Sequence, residues 1–375
     1  MKLDTIKAME RIARHDTTVI SLGQGIPSGT MDPALKQAAI NAITYGTTDS
    51  YSDPQGMYEL RSAISESTAS ENMIYTPDEI LVTSGAIEAI NVAIRSVVTE
   101  KRSGIIIPTP TYSAYFSVVT QNGGIVVDYQ TTPNNNWQID CDAIRQLIRR
   151  HTTAILLCNP NNPTGTVYDK ATIRQLAQLA KDSGIVLIID EVYRHMMHDD
   201  TPFYSPAEDI NCKDSIIRIM SFSKDFMMTG WRVGYIQSST SRIKDMVAIH
   251  DTLVNCTPVV SQYVAVTALK HQERILTANA TIYRTRLAQI STLLATSVTE
   301  LIVTAPMAGY YLFAKLPGSA PSRIVAEQLA KVGVIVIPGS VFGSAGEGYV
   351  RICFGRSSTA ITAGIERMHR YYAAQ

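Results

Sequence analysis

The chain has 375 residues, 45% of them hydrophobic and 18% charged, an ordinary globular balance with core enough for two modest domains or one large one with an appendage. Lys+Arg and Asp+Glu are both 33, so the net charge is zero, which argues against a nucleic-acid footprint or a polybasic membrane surface but leaves room for a local basic pocket. No apolar run approaches the ~18 residues of a membrane span. The opening "MKLDTIKAMERIARHDTTVI" carries Asp4, Glu10 and Asp16 without an apolar core, and Cys141, Cys158, Cys212, Cys256 and Cys353 never form C-x-x-C. A cytoplasmic protein with reduced, mostly buried thiols and no signal peptide is expected.

In chain order, the first buried strand reads as "EILVT", closed by Ser84-Gly85-Ala86 and followed by the helical pattern "AIEAINVAIRSVV". Further strands are expected in "SGIIIPTP", "GGIVVDY", "TAILLCNP", "GIVLIIDE", "SIIRIMSFS" and "VGYIQSS", with a helix in "TIRQLAQLAKDSG" closed by Gly184. None of these runs alternates polar and apolar residues, so they read as buried on both faces, as in a parallel sheet covered by helices. A long helical stretch from about Val259 to Ser297 then leads into "AGYYLFAKLPG", a helix from near Ser322, "VGVIVIPGSVFG", "GYVRICFG" and a final helix. The middle of the chain is thus an α/β layer and the last third a smaller α+β unit.

Ligands of open α/β sheets bind beyond the carboxyl ends of the strands. The strands here end in Ser84-Gly85-Ala86, Thr111-Tyr112, "NPNNPTG", Asp190-Glu191-Val192-Tyr193 and Ser221-Phe222-Ser223-Lys224, with Arg232 eight residues beyond the lysine. Taken singly, Ser84-Gly85 reads as an N-cap or as a phosphate nest. "NPNNPTG" reads as a turn, and Tyr112 and Tyr193 as packing aromatics. Asp190 and Lys224 resist such readings, because a charge at the end of an apolar strand needs a partner. Together the set describes a carbonyl cofactor with a phosphate handle and a ring nitrogen. A lysine amine condenses with an aldehyde, an aspartate keeps a pyridine nitrogen protonated, and serine with arginine clamps a phosphate. That cofactor is pyridoxal 5′-phosphate (PLP).

The chain resembles the fold-type I PLP enzymes, in particular the class I/II aminotransferases. "LGQGIP", "YSDPQGMYELR", "TSGA", "PTPTY", "NPNNPTG", "DEVY", "SFSKDFMMTGWRVG", "PGSVFG" and "VRICFG" succeed one another in that family's order. The resemblance implies a large domain with a mainly parallel seven-stranded sheet (31–285), a small α+β domain (286–375) and an N-terminal arm with a small-domain segment (1–30). It implies that Lys224 binds PLP and later shuttles the substrate proton, that Asp190 pairs with the ring nitrogen, and that Tyr193 and Asn162 bond the ring oxygen. Tyr112 would stack on the ring. Ser84, Gly85, Ala86, Ser221, Ser223 and Arg232 would surround the phosphate. Tyr51 would reach the phosphate from a neighbouring subunit of a homodimer, and Arg351, helped by Asn162 and the Gly25 backbone, would hold the substrate α-carboxylate.

The expected activity is transamination between an L-amino acid and a 2-oxo acid. Ser28-Gly29 stands where many relatives acting on large neutral amino acids carry an acidic-aromatic pair, and Ile87 where some aspartate-acting relatives carry a lysine. The first departure leaves that loop silent about the pocket; Ile87 in place of the lysine, with no other arginine placed for a side-chain carboxylate, favours neutral or aromatic donors. C–S β-lyases, oxidases and decarboxylases share the fold, as would a non-catalytic regulator, against which the intact Lys224–Asp190–Arg351 set speaks. "HMMHDD" offers His195, His198, Asp199 and Asp200 as metal ligands, but reads better as a solvated surface run. Cys158 and Cys353 read as core.

Overall fold

The structure, a computed structural model, describes residues 5–100 and 102–375; Asp4 of the N-terminal stretch lies outside the described residues. Helix α1 (Thr5–His15) and strand β1 (Ile20–Ser21) precede α2 (Pro33–Thr44) and α3 (Tyr58–Ala69). The main layer begins with β2 (Ile80–Thr83), α4 (Ala86–Val97), β3 (Gly104–Thr109), α5 (Ala114–Gln121), β4 (Ile125–Gln130) and α6 (Cys141–Leu147). It continues through β5 (Thr152–Cys158), α7 (Lys170–Asp182), β6 (Val186–Asp190), β7 (Ile216–Ser221), the one-turn α8 (Phe222–Asp225) and β8 (Gly234–Gln237). Helices α9 (Thr240–Val254), α10 (Val259–Lys270) and α11 (Gln272–Ser297) lead to β9 (Ile302–Val303) and β10 (Tyr311–Lys315). The last elements are α12 (Ser322–Lys331), β11 (Val334–Ile335), β12 (Ile337–Pro338), β13 (Tyr349–Cys353) and α13 (Ser358–Tyr372).

All seven expected strands of the middle region join one sheet, in the order β2-β8-β7-β6-β5-β3-β4. Strands β3 to β7 pair in parallel, whereas β8 runs antiparallel to both β7 and β2. Two expectations need correction. "GGIVVDY" is not buried on both faces: β4 is the edge of the sheet, with β3 its one neighbour, and Ile125 is 44% exposed. An edge position leaves no mark in the local pattern. The long helix from Val259 is two helices, broken at His271, whose N–H caps the first by bonding Thr267 and Ala268 carbonyls.

From β3 the chain moves outward to β4, then returns past β3 to β5, so the order reverses between β3 and β5 and opens a crevice at their carboxyl ends. A second sheet is fully antiparallel, β12-β13-β10-β9, and the early strand β1 pairs in parallel with β11 beside it. One apolar cluster runs without a break from Ile188 and Ile219 of the main sheet to Leu312 and Val350 of the second. The opposite face of the main sheet is covered by separate clusters around Leu60 and Val264 and around Leu176 and Leu187. The cysteines are all free, Cys158 and Cys353 fully within the core. Among the described residues no helix is long and apolar enough to cross a membrane.

Candidate active site

Lys224 stands on α8, a single turn that could not persist alone, since one turn fixes several dihedrals for one hydrogen bond. The Ser221 side chain caps it by accepting from the Ser223 N–H at 3.1 Å, and Phe222 stacks on Phe226 at 5.4 Å. The ammonium of Lys224 donates to the Gly25 carbonyl at 2.7 Å and lies 5.8 Å from the Tyr310 ring centroid. Burial, with Arg351 and Arg232 nearby, lowers its pKa to about 8. A free amine is therefore accessible near neutral pH.

Asp190 ends β6, paired in register with Cys158 of β5, and is 3% exposed. Its carboxylate accepts from the Tyr115 hydroxyl at 2.8 Å and from the Val192 N–H at 3.3 Å. Among the described residues it has no ion pair, and burial raises its pKa to about 6 despite those hydrogen bonds. A carboxylate so placed is suited to a cation that arrives with a ligand.

Arg351, on β13, is 2% exposed and held on several sides. It donates to the Asn162 side chain at 2.9 Å and to the Gly23 carbonyl at 2.7 Å. Its guanidinium lies 4.3 Å from the Tyr311 ring centroid and 4.8 Å from that of Phe342, while its Nε–H has no acceptor among the described residues. Tyr311 in turn shares a hydroxyl–hydroxyl bond of 3.2 Å with Tyr193. Gly25 is required here by space: a Cβ would lie 1.7 Å from the Tyr311 hydroxyl oxygen.

At the far end, Arg232 has left-handed backbone (φ 53°) and folds back to donate to the carbonyls of Thr229 at 3.0 Å and Ser84 at 3.2 Å. Gly85 has φ +83°, and a Cβ there would come 2.2 Å from Arg232 Nη2. Arg232 thus lies against the amino end of α4, whose first-turn N–H groups have no intrahelical acceptors. Tyr112 packs edge-on against Tyr115 at 5.5 Å. Tyr51 is not part of this assembly: it is 83% exposed, between α2 and α3.

Several contacting residues escaped the sequence reading. Tyr115, the donor to Asp190, sits three residues after Tyr112 at the start of α5, and that spacing is its one signal. Tyr310 and Tyr311 form a doublet that reads as strand; Tyr310 donates its hydroxyl to the Gly25 carbonyl at 3.0 Å. "HMMHDD" departs from the solvated-run reading. Asp199 and Asp200 are exposed, but His195 turns inward to Asp225 and Glu71, and His198 packs on Phe354 at 5.7 Å. The partners come from distant segments, which a local reading cannot anticipate. No cluster of three or more His, Cys, Asp or Glu side chains among the described residues could hold a metal.

The family model described as aminotransferase class I and II matches residues 17–368. The chain belongs to the class I and II aminotransferase family. A Bacillus subtilis (strain 168) protein named putative aminotransferase YugH is 33% identical over 359 residues, covering 94% of this chain and 91% of that one. An aspartate aminotransferase of Pyrococcus abyssi is 31% identical over 97% of this chain and 94% of its own length. The solved structure of an aromatic aminotransferase from Pyrococcus horikoshii OT3 superposes with a TM-score of 0.90 at 30% identity, covering 98% of this chain and 99% of that one. This aminotransferase is a PLP-dependent enzyme of fold type I. The residues present fit PLP: a desolvated amine at Lys224, a buried carboxylate with no ion pair among the described residues at Asp190, and a guanidinium against a helix amino terminus at Arg232.

Proposed function

We propose that this aminotransferase takes the amino group from a neutral or aromatic L-amino acid and passes it to a 2-oxo acid in two half-reactions, the first oxo acid leaving before the second enters. Bound PLP supplies the electron sink for the breaking bond at the substrate α-carbon. In this reading Lys224 forms the covalent link to PLP. When its Nζ is free, it would take the proton from the substrate α-carbon and hold it for return. Asp190 keeps the ring nitrogen protonated, Tyr193 and Asn162 bond the ring oxygen, and Tyr112 covers the ring. Ser84, Gly85, Ala86, Ser221, Ser223 and Arg232 hold the phosphate. Arg351, with Asn162 and Gly25, orients the substrate α-carboxylate.

The observation that carries this reading is the Lys224 amine, its pKa lowered to about 8, donating to the carbonyl of Gly25 on the rim that also carries Asp190 and Arg351. The donor class rests on Ile87, 40% exposed just inside α4, and on the rings of Tyr193, Tyr310 and Tyr311 packed at 4.8 to 5.9 Å. Tyr51, 83% exposed, supports a homodimer in which it completes the partner's phosphate site. The division into 1–30, 31–285 and 286–375 and a cytoplasmic location belong to the same proposal; the zero net charge and free cysteines support the latter.

The test is the visible absorption of the PLP-loaded enzyme as amino acids are added singly without an oxo acid. A lasting loss of the band with release of one equivalent of oxo acid per site, reversed by adding oxo acid, identifies transamination and the donor together. Recovery unaided while ammonia and pyruvate accumulate would make it a lyase. A fast response to aspartate with none to aromatic or aliphatic donors would sink the donor class.

A further inference from the structure

Asp190 and Lys224 face the site, and each is followed in sequence by an acidic residue that points away from it. Those two residues, Glu191 and Asp225, belong to one continuous run of charges that begins at Arg218 and ends at Asp225. The Arg218 Nε donates to Glu191 at 2.6 Å. Arg194 lies 3.8 Å from the same Glu191 oxygen and 2.5 Å from Glu71. The two ring nitrogens of His195 face Glu71 at 3.3 Å and Asp225 at 2.8 Å. Three carboxylates (Glu191, Glu71, Asp225) alternate with three bases (Arg218, Arg194, His195), and the run is balanced only when His195 carries its proton. With a carboxylate on each nitrogen, His195 can satisfy both only as the imidazolium, which donates twice.

We propose that this run of alternating charges is a strut that holds Lys224 in register with Asp190, and that His195 is the positioning residue that closes it. The proposal rests on the assignment of Lys224 as the PLP-binding lysine. Beyond its Ser221 cap and the packing of Phe222, the turn that carries Lys224 is tied to other segments through Asp225: its carbonyl accepts from Asn279 of α11 at 2.7 Å, and its carboxylate meets His195 at 2.8 Å. His195 lies two residues beyond Tyr193 in the loop that leaves Asp190, so its bond to Asp225 spans the loop and the turn directly. A cavity of about 20 Å³, room for about one water, is lined by Glu71, His195, Arg218 and Asp225. Arg218, Glu191, Arg194 and Asp225 are buried and His195 and Glu71 half-buried, so the charges act through a lowered local dielectric. Burial opposes the charge on His195, but the two carboxylates outweigh it and raise its pKa to about 9.

The test compares PLP-loaded wild type with His195→Phe, His195→Lys and Asp225→Asn. The readouts are kcat, KM for the amino donor, the pH midpoint of the visible band of the bound cofactor, and Tm. If the strut sets the placement of Lys224, His195→Phe lowers kcat by about 10- to 100-fold and moves the pH midpoint. KM stays within about threefold. His195→Lys, which keeps a cation between the carboxylates, recovers most of both losses. Variants that lose Tm yet keep wild-type kcat and midpoint overturn the proposal, and so does an effect confined to KM. Should His195→Phe fail to fold, the near-isosteric Asp225→Asn decides by the same readouts. Lys224→Ala separates the two levels: retention of the band and turnover there refutes the lysine assignment itself. Loss of both, beside wild-type behaviour of the His195 and Asp225 variants, removes the strut alone.

Discussion

Asp190 and Glu191 are consecutive carboxylates, 3% and 0% exposed, yet the protein treats them in opposite ways. Pleating sends them to opposite faces of the main sheet. Glu191 meets an arginine at 2.6 Å, and Arg218 there is further bonded to the Gln237 side chain, which bonds Thr68. Asp190 meets a phenol and an amide, and burial raises its pKa to about 6. One face invests its buried charge in completed pairs; the other keeps charges waiting. A buried charge with its partner in place makes structure, and one whose partner comes with the ligand makes a binding site.

The sharpest way to break that contrast is to exchange a residue on each face. Lys224→Ala is expected to cut turnover by on the order of 10²–10⁴-fold or more, while the urea midpoint of the cofactor-free protein stays level or rises. Glu191→Gln strands the Arg218 guanidinium and should lower the unfolding free energy by about 3–5 kcal/mol in the same titration. If Glu191→Gln left stability intact, the division of labour between the faces would fail.

A smaller effect is expected from Asp190→Asn, which should weaken PLP binding by about 10- to 100-fold, the worth of one charge-assisted bond, without lowering Tm. In the wild type, Asp190 takes up a proton as the pH falls through about 6, so cofactor affinity should drop across that range; fluorescence titration at stepped pH reads it. The last effect is on stability and concerns His195, faced by Asp225 of α8, by Glu71 after α3 and by Arg194 of its own loop. Its pKa is raised from 6.5 to about 9 in the folded state. The resulting stabilisation is therefore full below pH 6.5 and lost as the pH rises through 9. It amounts to at most about 3 kcal/mol, and His195→Phe should flatten that part of the stability profile.

The sheet was legible because its strands are unbroken apolar runs such as "TAILLC", which suit a doubly covered layer, and because most of the runs end on a polar signature. The edge position of β4 was not, since "IVVDY" is as apolar as its neighbours and exposure depends on what lies beside it. Within the site, Lys224, Asp190 and Arg232 announced themselves as charges set against apolar strands. Tyr115 and Tyr311 did not, because a tyrosine in a helix or strand reads the same whether its hydroxyl is used or idle. His195 was the least legible: Glu71 is 124 residues before it and Asp225 is 30 after it, and neither separation leaves a local pattern.

The β1–β11 pairing has a consequence in time. A ribosome releases Ile20 and Ser21 some three hundred residues before Val334 and Ile335, and Gly23 long before Arg351, its bonding partner. Until β11 and Arg351 emerge, the early segment lacks the backbone and guanidinium partners that fix it, and with them the setting of the Gly25 carbonyl over Lys224. Such distant closures are slow to form. Nascent chains can therefore complete the main sheet and still lack the assembly of Gly25 with Lys224 and Arg351, which takes shape only once β11 and β13 have emerged.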